Sequence, residues 1–474
     1  MHISMKATVL YHLGSSSKRS ICSAFSLHGS PLRIARYLSI QHRYSCDETN
    51  GEQCSSHSLT ADPWLRQQIA RFDPTLPIEQ ARTPPSIWYE NPKILELEQQ
   101  SIFLNQWVAV DVILSSSPGF YQTGSFANQP YLLTRNSQGD LQAFYNVCTH
   151  AGSCLVGPWT GSSSCCKLDA SLVGQSTSGN LFSNKQRGLR CPYHGWEFNL
   201  DGKLIKATHM RGIQNFSPKA YGLKVIPMEQ VGPIVFLNFG SRERVTNGIH
   251  EQQEQHDVFL SNRQLLSNCL EESGFSGNFG DVDLVEARHY TVKCNWKVFC
   301  DNYGDGCYHC SYAHLNLVSN IDESNYSTQI LSPELSIQYA PPAGAKSCSR
   351  FGTERAAVYA QWYPNIMFNR YGPWLDVDIV KVIDETTSVV HKAWFLERDF
   401  IPPDGVTREV YIRDSLGSSL RVHDEDVFLC ENAQRGMTSR GFDCSRYAPS
   451  KQIAAHNFHQ RLAQDLQQAV RGNN

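Results

Sequence analysis

The sequence predicts an α+β protein in which a small antiparallel β domain precedes a mixed α/β domain built on an antiparallel sheet. Short strand-like runs joined by tight turns fill residues 106–240, for example 131–134 and 141–145 around a Gly-Asp turn. From residue 286 to residue 474 strand and helix patterns mix, and apolar residues recur at near-helical spacing over 450–470. The chain has 474 residues, which is enough for two or three domains.

Composition and cysteine usage limit the classes of protein that remain. With 41% hydrophobic and 18% charged residues the chain is globular, which excludes collagen-like, coiled-coil and wholly disordered proteins. No run approaches the roughly 18 apolar residues of a membrane-spanning helix, so we expect a soluble protein with no membrane partner. The 16 cysteines lack the regular spacing of a disulfide framework, and a chain of this size does not need one. We therefore expect a reducing compartment.

The first 46 residues have the composition of an organelle transit peptide, because they contain six basic residues, ten serines and no acidic residue. Without them the chain keeps 36 basic against 45 acidic residues, a net charge of about −9, which argues against a nucleic-acid partner. The serine content suits a chloroplast, whereas the Arg33-x-x-Arg36 pattern suits a mitochondrion. We expect the chloroplast stroma, with the mitochondrial matrix as the alternative.

Four further segments follow the transit peptide at residues 1–46. They are a polar and helical segment at 47–105, the small β domain at 106–240, a Gln- and Gly-rich surface linker at 241–285, and the mixed domain at 286–474. Strand-length runs on both sides of Asp201-Gly202 predict a second hairpin in the β domain.

Two short turns of the β domain each contain one cysteine and one histidine, Cys148-Thr-His150 and Cys191-Pro-Tyr-His194. Two thiolates and two imidazoles can bind one Zn²⁺ or divide over the two irons of a [2Fe–2S] cluster. Zinc-finger ligands usually come as Cys-Cys and His-His pairs, whereas a Rieske cluster has both ligand types in each turn. The spacing therefore predicts that these four residues bind a Rieske [2Fe–2S] cluster, with a zinc site as the alternative.

The surroundings of the two turns distinguish kinds of Rieske protein. Rieske subunits of cytochrome complexes generally carry an extra cysteine in each turn, and these two form a disulfide beside the cluster. Here Tyr193 occupies one such place and Cys154 has no partner in the other turn, which disfavours an electron-transfer subunit. The interval between His150 and Cys191 is unusually long, and its Ser/Gly-rich part at 161–187 predicts a mobile surface loop.

A second group of metal-binding residue types follows the run Asn295-Trp-Lys297 and has the pattern Asp305-x₃-His309-x₄-His314. Five positions of an ideal helix advance about 500°, so the histidines would point roughly 140° apart unless the helix is interrupted. Taken alone, the pair could equally be core or surface histidines. Two histidines and one carboxylate would complete a facial triad that leaves positions open for O₂ on ferrous iron. The candidate carboxylate is Asp426, and its alternatives lie in the same segment, namely Asp424, Glu425 and Glu431.

Together these motifs resemble the Rieske non-haem iron oxygenases and, within them, the plant-type choline monooxygenases. The similarity runs from about residue 84 to residue 466 and includes the stretches 363–374 and 426–436. It implies the architecture of an oxygenase α-subunit, with a Rieske domain followed by a mononuclear-iron catalytic domain. It also implies that the four turn residues bind the cluster and that His309, His314 and Asp426 bind the catalytic iron.

The same resemblance implies an activity and its partners. Choline would be hydroxylated at its alcohol carbon to the hydrate of betaine aldehyde, the first step of glycine betaine synthesis, with O₂ and reduced ferredoxin. A homotrimer is expected, because cluster and iron within one subunit lie too far apart for fast electron transfer. Basic residues near the second turn are candidates for docking ferredoxin, namely Lys185, Arg187, Arg190, Lys203 and Lys206. A quaternary ammonium favours an aromatic pocket, for which one segment offers Trp362, Tyr363, Phe368, Tyr371 and Trp374.

One position departs from the family pattern. Many members carry an acidic residue three positions before the first histidine, where it links the cluster of one subunit to the iron of the next. Here that position is Gly306, and Asp305 is the nearest carboxylate and the candidate catalytic bridge. Two other functions remain open: a Rieske oxygenase acting on another quaternary amine, such as carnitine or a betaine that it demethylates, and an electron-transfer Rieske protein. The intact triad disfavours the latter.

Overall fold

A computed structural model describes residues 62–157, 177–181, 188–240, 248–343, 350 and 355–471. The predicted transit peptide, most of the Ser/Gly-rich loop, and the basic residues Lys185 and Arg187 lie outside the described residues. Among the residues that are described, no helix is both long and apolar enough to cross a membrane.

The described chain contains eight α-helices and 17 strands. The helices are α1 (Pro63–Ile69), α2 (Pro92–Glu98), α3 (Gly248–Glu272), α4 (Trp296–Tyr303), α5 (Cys310–Ala313), α6 (Leu315–Val318), α7 (Arg408–Met437) and α8 (Ile453–Arg471). The first ten strands are β1 (Trp107–Val112), β2 (Phe120–Phe126), β3 (Gln129–Arg135), β4 (Leu141–Tyr145), β5 (Thr177–Asn180), β6 (Leu189–Arg190), β7 (Glu197–Phe198), β8 (Leu204–Lys206), β9 (Met228–Val231) and β10 (Ile234–Asn238). The other seven are β11 (Val282–Val292), β12 (Ser327–Ser332), β13 (Leu335–Ala340), β14 (Ala357–Trp362), β15 (Ile366–Tyr371), β16 (Trp374–Asp384) and β17 (Thr387–Glu397).

Strands β1–β10 form three small antiparallel sheets, in the orders β1-β10-β9, β4-β3-β2-β5 and β6-β7-β8. Both hairpins predicted from the sequence are present: β3 pairs with β4, and β7 pairs with β8 across Gly202 at φ +72°. One expectation is wrong in part, because residues 177–180 of the predicted mobile loop form β5 at the edge of a sheet. Its pairing with β2 satisfies backbone groups that would otherwise remain open at that edge.

The second half of the chain is built on one seven-stranded antiparallel sheet with the order β11-β17-β16-β15-β14-β13-β12. Side chains alternate across it, so one face carries an apolar core that includes Ile337, Val377 and Ala393. The other face carries a polar row that runs from Gln338 through Tyr359 on the neighbouring strand to Asn369, Asp376 and Asp378. This row forms one wall of the cavity described below. The predicted α+β architecture of antiparallel sheets with added helices is confirmed.

The segment predicted as a surface linker, 241–285, contains the 25-residue helix α3 and the first residues of β11, so the linker prediction is wrong there. Eight of the 25 residues of this helix are glutamine or glutamate, and its apolar residues form only a narrow stripe. Phe259, Leu266 and Leu270 lie on that stripe and are at most 2% exposed. They pack into the core beneath the large sheet, which is what makes this polar sequence a stable helix.

Buried polar and charged side chains connect elements of the first half of the chain to elements of the second half. Asp111 on β1 lies 3.1 Å from Nδ1 of His391 on β17 and accepts a hydrogen bond of 3.0 Å from the hydroxyl of Tyr131. Lys297, at the start of α4, forms a fully buried ion pair of 2.7 Å with Glu98 at the end of α2. Removing one member of a buried ion pair typically costs about 3–5 kcal/mol, so the Lys297–Glu98 pair fixes the position of α4 and of the turn that follows it.

Candidate functional site

The two Cys/His turns have the same backbone closure. In the first, Gly152 N–H donates to Cys148 O at 3.0 Å and Cys148 N–H donates to Ser153 O at 2.8 Å. In the second, Gly195 N–H donates to Cys191 O at 3.0 Å and Cys191 N–H donates to the oxygen five residues later at 2.7 Å. Both glycines have φ +72°, a conformation that residues with a Cβ rarely adopt. The cysteine therefore begins an equivalent knuckle in each turn.

The four side chains meet between the knuckles in two layers. The thiols of Cys148 and Cys191 contact each other, and both residues are 2% exposed. The rings of His150 and His194 lie 4.6 Å apart between centroids, and both residues are exposed. Burial raises the pKa of the Cys148 thiol, and its contact with Cys191 adds to that effect.

This arrangement fits a Rieske cluster, because two thiols lie together inside and two imidazoles lie together at the surface. The imidazoles are also supported by aromatic rings. Trp196 stacks on His150 at 4.6 Å, and Tyr193 stacks on His194 at 3.8 Å. Tyr193, which is 65% exposed, thus extends the exposed histidine surface.

The second candidate site begins where α4 ends. His309 immediately precedes the single turn of α5, and His314 separates α5 from α6 with φ −114° and ψ 58°, outside the helical region. The helix is therefore interrupted at both histidines, as their convergence on one metal requires. Asp426 reaches the same point from the middle of α7.

The ligand atoms of His309, His314 and Asp426 all lie within 4.8 Å of one another. Nε2 of His314 is 3.0 Å from Nε2 of His309 and 3.0 Å from Oδ1 of Asp426. Two imidazole nitrogens and one carboxylate facing a common point form the donor set of a facial triad for ferrous iron. The residues present fit that metal.

Each of the three side chains is held by a neighbour. Oδ2 of Asp305 lies 2.6 Å from Nδ1 of His309, and Oε2 of Glu425 lies 2.6 Å from Nδ1 of His314. The side-chain amide of Asn302 donates to Oδ1 of Asp426 at 2.8 Å. Such contacts fix which imidazole nitrogen carries the proton and orient the ring. The sequence had offered Glu425 only as a substitute for Asp426, and Asn302 carried no signal beyond its place between Asn295-Trp-Lys297 and His309.

The site has a strongly negative electrostatic character. Burial lowers the pKa of His309, but hydrogen bonds with Asp305 and Asp426 outweigh burial and raise that pKa to about 10. Burial raises the pKa of Asp426, yet its contacts with both histidines hold the pKa well below its usual range. Without a metal the raised pKa of His309 favours its protonated form, and a divalent cation displaces that proton when it binds.

The triad opens into a cavity of about 560 Å³, within the size range of small-molecule sites. Aromatic and charged side chains line it together, among them Tyr303, Tyr326, Tyr359, Tyr371, Asp376 and Asp378. Tyr303, Tyr326 and Tyr359 are widely separated in sequence, so no local pattern indicates that they line one cavity.

Of the five rings proposed from sequence for the pocket, Tyr371 lines this cavity and the other four belong to the core. Trp362 and Phe368 point to the opposite face of the sheet, where they stack on Phe259 at 5.0 Å and Phe279 at 5.5 Å. The hydroxyl of Tyr363 donates to Asp465 at 2.7 Å, and the indole N–H of Trp374 donates to Tyr411 at 3.2 Å. The expectation is wrong for these four. Trp362 and Phe368 face away because neighbouring strand residues point to opposite sides, Tyr363 lies beyond the end of β14, and Trp374, although opposite Tyr371, is fully buried.

Comparison with known families matches two stretches of the chain. The Rieske [2Fe-2S] domain family matches residues 106–217, and the catalytic domain of the ring hydroxylating alpha subunit matches residues 279–468. The chain therefore belongs to the Rieske non-haem iron oxygenases. It is an oxidoreductase whose cofactors are a Rieske [2Fe–2S] cluster and a mononuclear iron.

Within that class the chain is similar to enzymes of quaternary amines. It is 36% identical to the chloroplastic choline monooxygenase of Arabidopsis thaliana over 408 residues, which cover 85% of this chain and 87% of the relative. It is 26% identical to the carnitine monooxygenase oxygenase subunit of Escherichia coli K12 over 403 residues, 81% of this chain and 94% of the relative.

Solved structures support the fold. A quaternary ammonium Rieske monooxygenase described in connection with carnitine oxidation and inter-subunit electron transfer has a TM-score of 0.62 at 22% identity, with 84% of this chain and 98% of that chain covered. A naphthalene 1,2-dioxygenase has a TM-score of 0.61 at 16% identity, with 83% and 94% covered.

Proposed function

We propose that the protein is a ferredoxin-dependent choline monooxygenase of the chloroplast stroma. It hydroxylates choline at the alcohol carbon and yields the hydrate of betaine aldehyde. The charge of the cavity is the observation that carries the choice of choline. The similarity to chloroplastic choline monooxygenases and the composition of residues 1–46 support the compartment.

The cavity suits a cation that has no carboxylate of its own. Nζ of Lys392 lies 2.8 Å from both oxygens of Asp378, and the guanidinium of Arg350 bonds Asp376 at 3.1 Å and also the Tyr371 hydroxyl. These two buried cations are thus already neutralised within the wall. Carnitine and betaines carry a carboxylate that needs a cationic partner when it leaves water, whereas choline does not.

Tyrosine rings supply the attraction for a trimethylammonium group. Tyr326 donates its hydroxyl to Gln338 at 2.8 Å and Tyr303 donates to the Phe368 carbonyl at 2.9 Å, so both rings are held in the wall. A desolvated cation over such a ring gains roughly 1–2 kcal/mol. Several rings around one trimethylammonium group together favour its transfer from water into the cavity.

The reaction requires two electrons and two protons, because one atom of O₂ enters the C–H bond of choline and the other leaves as water. When bound, the cluster supplies electrons singly and the iron provides the open positions for O₂. The chain itself orients the triad through Asp305, Glu425 and Asn302 and holds the ammonium group in the same cavity. The buried wall limits access of bulk water to that cavity.

We also propose a homotrimer in which the Rieske turns of one subunit face the triad of the next. A surface hollow beside the triad, lined by Asp305, Tyr308, Tyr312 and Phe428, supports this arrangement. Tyr312 is 84% exposed and Phe428 is 63% exposed, a patch that a partner surface would cover. Asp305 lines both this hollow and the cavity, so it is the proposed bridge between the two sites.

The proposed docking face for ferredoxin lies around the second Rieske turn. Residues 188–224 contain six basic and two acidic residues, in a chain that is otherwise net negative. Lys203 and Lys206 are exposed, and Lys206 lies 3.6 Å from Glu197, which also lies 3.5 Å from Arg190. An acidic donor would be attracted to this face, and salt would weaken the attraction.

A specific observation keeps carnitine as the second candidate substrate. Arg421 lines the cavity, is exposed, and donates to the Ser418 hydroxyl instead of a carboxylate, so it could receive the carboxylate of carnitine. Turnover with reduced ferredoxin should be compared for choline, L-carnitine and glycine betaine. We expect betaine aldehyde from choline at the highest kcat/KM and little change in an Arg421→Gln variant. Trimethylamine from carnitine as the main product, lost in Arg421→Gln, would favour the second candidate.

A further inference from the structure

A disulfide joins Cys307 and Cys310 on either side of His309, with their Cα atoms 5.0 Å apart. The other eight cysteines in the part of the chain that the structure describes are free. Both paired residues line the cavity together with His309 and His314, although they are only 8% and 5% exposed. The one cross-link among the described residues thus lies in the wall of the reaction cavity, in a chain predicted to need no disulfide.

The turn that the disulfide closes has an unfavourable backbone of its own. Gly306 and Cys307 have φ values of +68° and +59°, and the second of these is rare for a residue with a Cβ. A Cβ at Gly306 would lie 2.0 Å from the carbonyl oxygen of Lys451, so the path of the chain is tightly restricted. The turn leads directly to His309. Its conformation therefore determines where the imidazole sits.

The cross-link and the carboxylate of Asp305 hold His309 from two directions. Cys310 N–H donates to Cys307 O at 3.3 Å, a weak bond, whereas Asp305 holds the imidazole itself at 2.6 Å. Without the S–S bond, Cys307 keeps its strained backbone and only that weak hydrogen bond ties it to Cys310. The turn then has more conformations available, and fewer of them direct Nε2 of His309 toward Asp426.

We propose that Cys307 and Cys310 form a redox-active disulfide that controls how tightly the triad retains iron, and that its reductant is a dithiol. This inference rests on the proposed role of His309 as an iron ligand. The disulfide form holds the turn and retains the metal, and the dithiol form releases it more readily. The pair thereby links the activity of the site to the thiol redox state of the compartment.

The chemistry is ordinary thiol–disulfide exchange. A thiolate of the reductant attacks one sulfur, the S–S bond breaks, and the second sulfur leaves and takes up a proton. The second thiol of the reductant then displaces the mixed disulfide, so two electrons and two protons pass to Cys307 and Cys310 and the reductant becomes a disulfide. Hydrogen peroxide reverses the change: one thiol is oxidised to sulfenic acid, the other displaces water, and the peroxide becomes two waters.

The test measures thiol state and iron release separately on the full chain loaded with Fe²⁺. Before anaerobic loading with Fe²⁺, the thiol state is set with dithiothreitol or with hydrogen peroxide and the reagent is removed, because peroxide would oxidise Fe²⁺ itself. Thiols of one sample are then alkylated and located by peptide mass spectrometry. Release of Fe²⁺ to a coloured chelator is followed without O₂, and the EPR signal of a reduced sample reports that the Rieske cluster is intact. We expect peroxide to protect both cysteines from alkylation, dithiothreitol to expose both, and iron release to be about tenfold faster in the dithiol form.

Variants separate this role from the proposed function. Cys307→Ser with Cys310→Ser should release Fe²⁺ at the fast rate in either buffer, and Cys444→Ser, at a free and half-buried cysteine, should respond like the wild type. Equal release rates in both thiol states would overturn the proposal, as would cysteines that stay alkylatable after peroxide. His309→Ala tests the ligand assignment independently: if it retains Fe²⁺ normally, the proposed triad fails, whatever the thiol state of the pair.

Discussion

The Nδ1 atom of His314 lies 2.6 Å from Oε2 of Glu425, while its Nε2 atom lies 3.0 Å from Oδ1 of Asp426, the next residue of α7. Two consecutive carboxylates therefore contact opposite nitrogens of one imidazole. Glu425 accepts a hydrogen bond from the protonated Nδ1 of His314, which leaves the Nε2 lone pair directed toward the metal position. Burial lowers the pKa of His314, but these carboxylates outweigh burial and raise it.

Removing Glu425 should therefore weaken metal binding without touching a ligand. We expect Glu425→Ala to lower the affinity for Fe²⁺ by about 10- to 100-fold, because the imidazole loses its fixed tautomer and orientation. Glu425→Gln should recover part of the loss, since an amide oxygen still accepts the hydrogen bond. The neighbouring Asp424→Asn is the matched control, and titration of the metal-free site with Fe²⁺ gives the affinities. Equal affinities in all three variants would exclude the positioning role.

The cluster assignment predicts a separation of the two cofactors. Cys148→Ser or His194→Ala should remove the rhombic EPR signal of the reduced cluster and leave Fe²⁺ binding at the triad intact, because no residue is shared. Metal analysis together with EPR measures both. If the signal survives in both variants, the four turn residues are not the ligands.

Asp305 is expected to act on electron delivery more than on metal loading. Asp305→Asn keeps an oxygen that can accept from His309, so iron content should stay near that of the wild type. Loss of the charge between the hollow and the cavity should slow reoxidation of the cluster in a single turnover by about tenfold or more. Rapid-mixing absorbance spectroscopy follows this step. If the cluster of Asp305→Asn is reoxidised at the wild-type rate, Asp305 only supports the turn that carries His309.

Charge reversal should identify the docking face of the donor. Lys203→Glu with Lys206→Glu should raise the ferredoxin concentration needed for half-maximal rate, more strongly at low salt, since screening acts beyond about 10 Å at 0.1 M. Activity with a small chemical reductant should change little. Equal losses with both donors would mean that these lysines support the fold or the cluster.

Local spacing was sufficient to predict the two Rieske turns, both hairpins and the final helix. Each depends on residues close in sequence: Cys148 with His150, Cys191 with His194, and the apolar repeat realised in α8 from Ile453 to Arg471. Asp426 was also named as the candidate third ligand, a role that the resemblance implies as well, and the structure brings it to the two histidines. The α+β architecture follows from the same strand and helix patterns.

The pocket could not be predicted in this way, because its wall is a row across several strands. Tyr359, Asn369 and Asp376 become neighbours only through the register of β14, β15 and β16. Helix α3 was missed because its few apolar residues lie among many polar ones, and the pairing partner of β5 is distant in sequence. The Cys-x-x-Cys spacing of Cys307 and Cys310 could have indicated the disulfide. It was not predicted, because His309 lies between the two cysteines and the segment was interpreted only as a metal site.

A single turnover without any donor protein tests the central claim most directly. The protein is reduced anaerobically, freed of reductant, mixed with choline and then exposed to O₂, and the quenched products are analysed. We predict betaine aldehyde that forms only after O₂ is added, reoxidation of the cluster, and no product from Asp426→Ala although its cluster is reduced normally. Reoxidation of wild-type protein without betaine aldehyde, or equal product from Asp426→Ala, would contradict the assignment of choline oxidation to this triad.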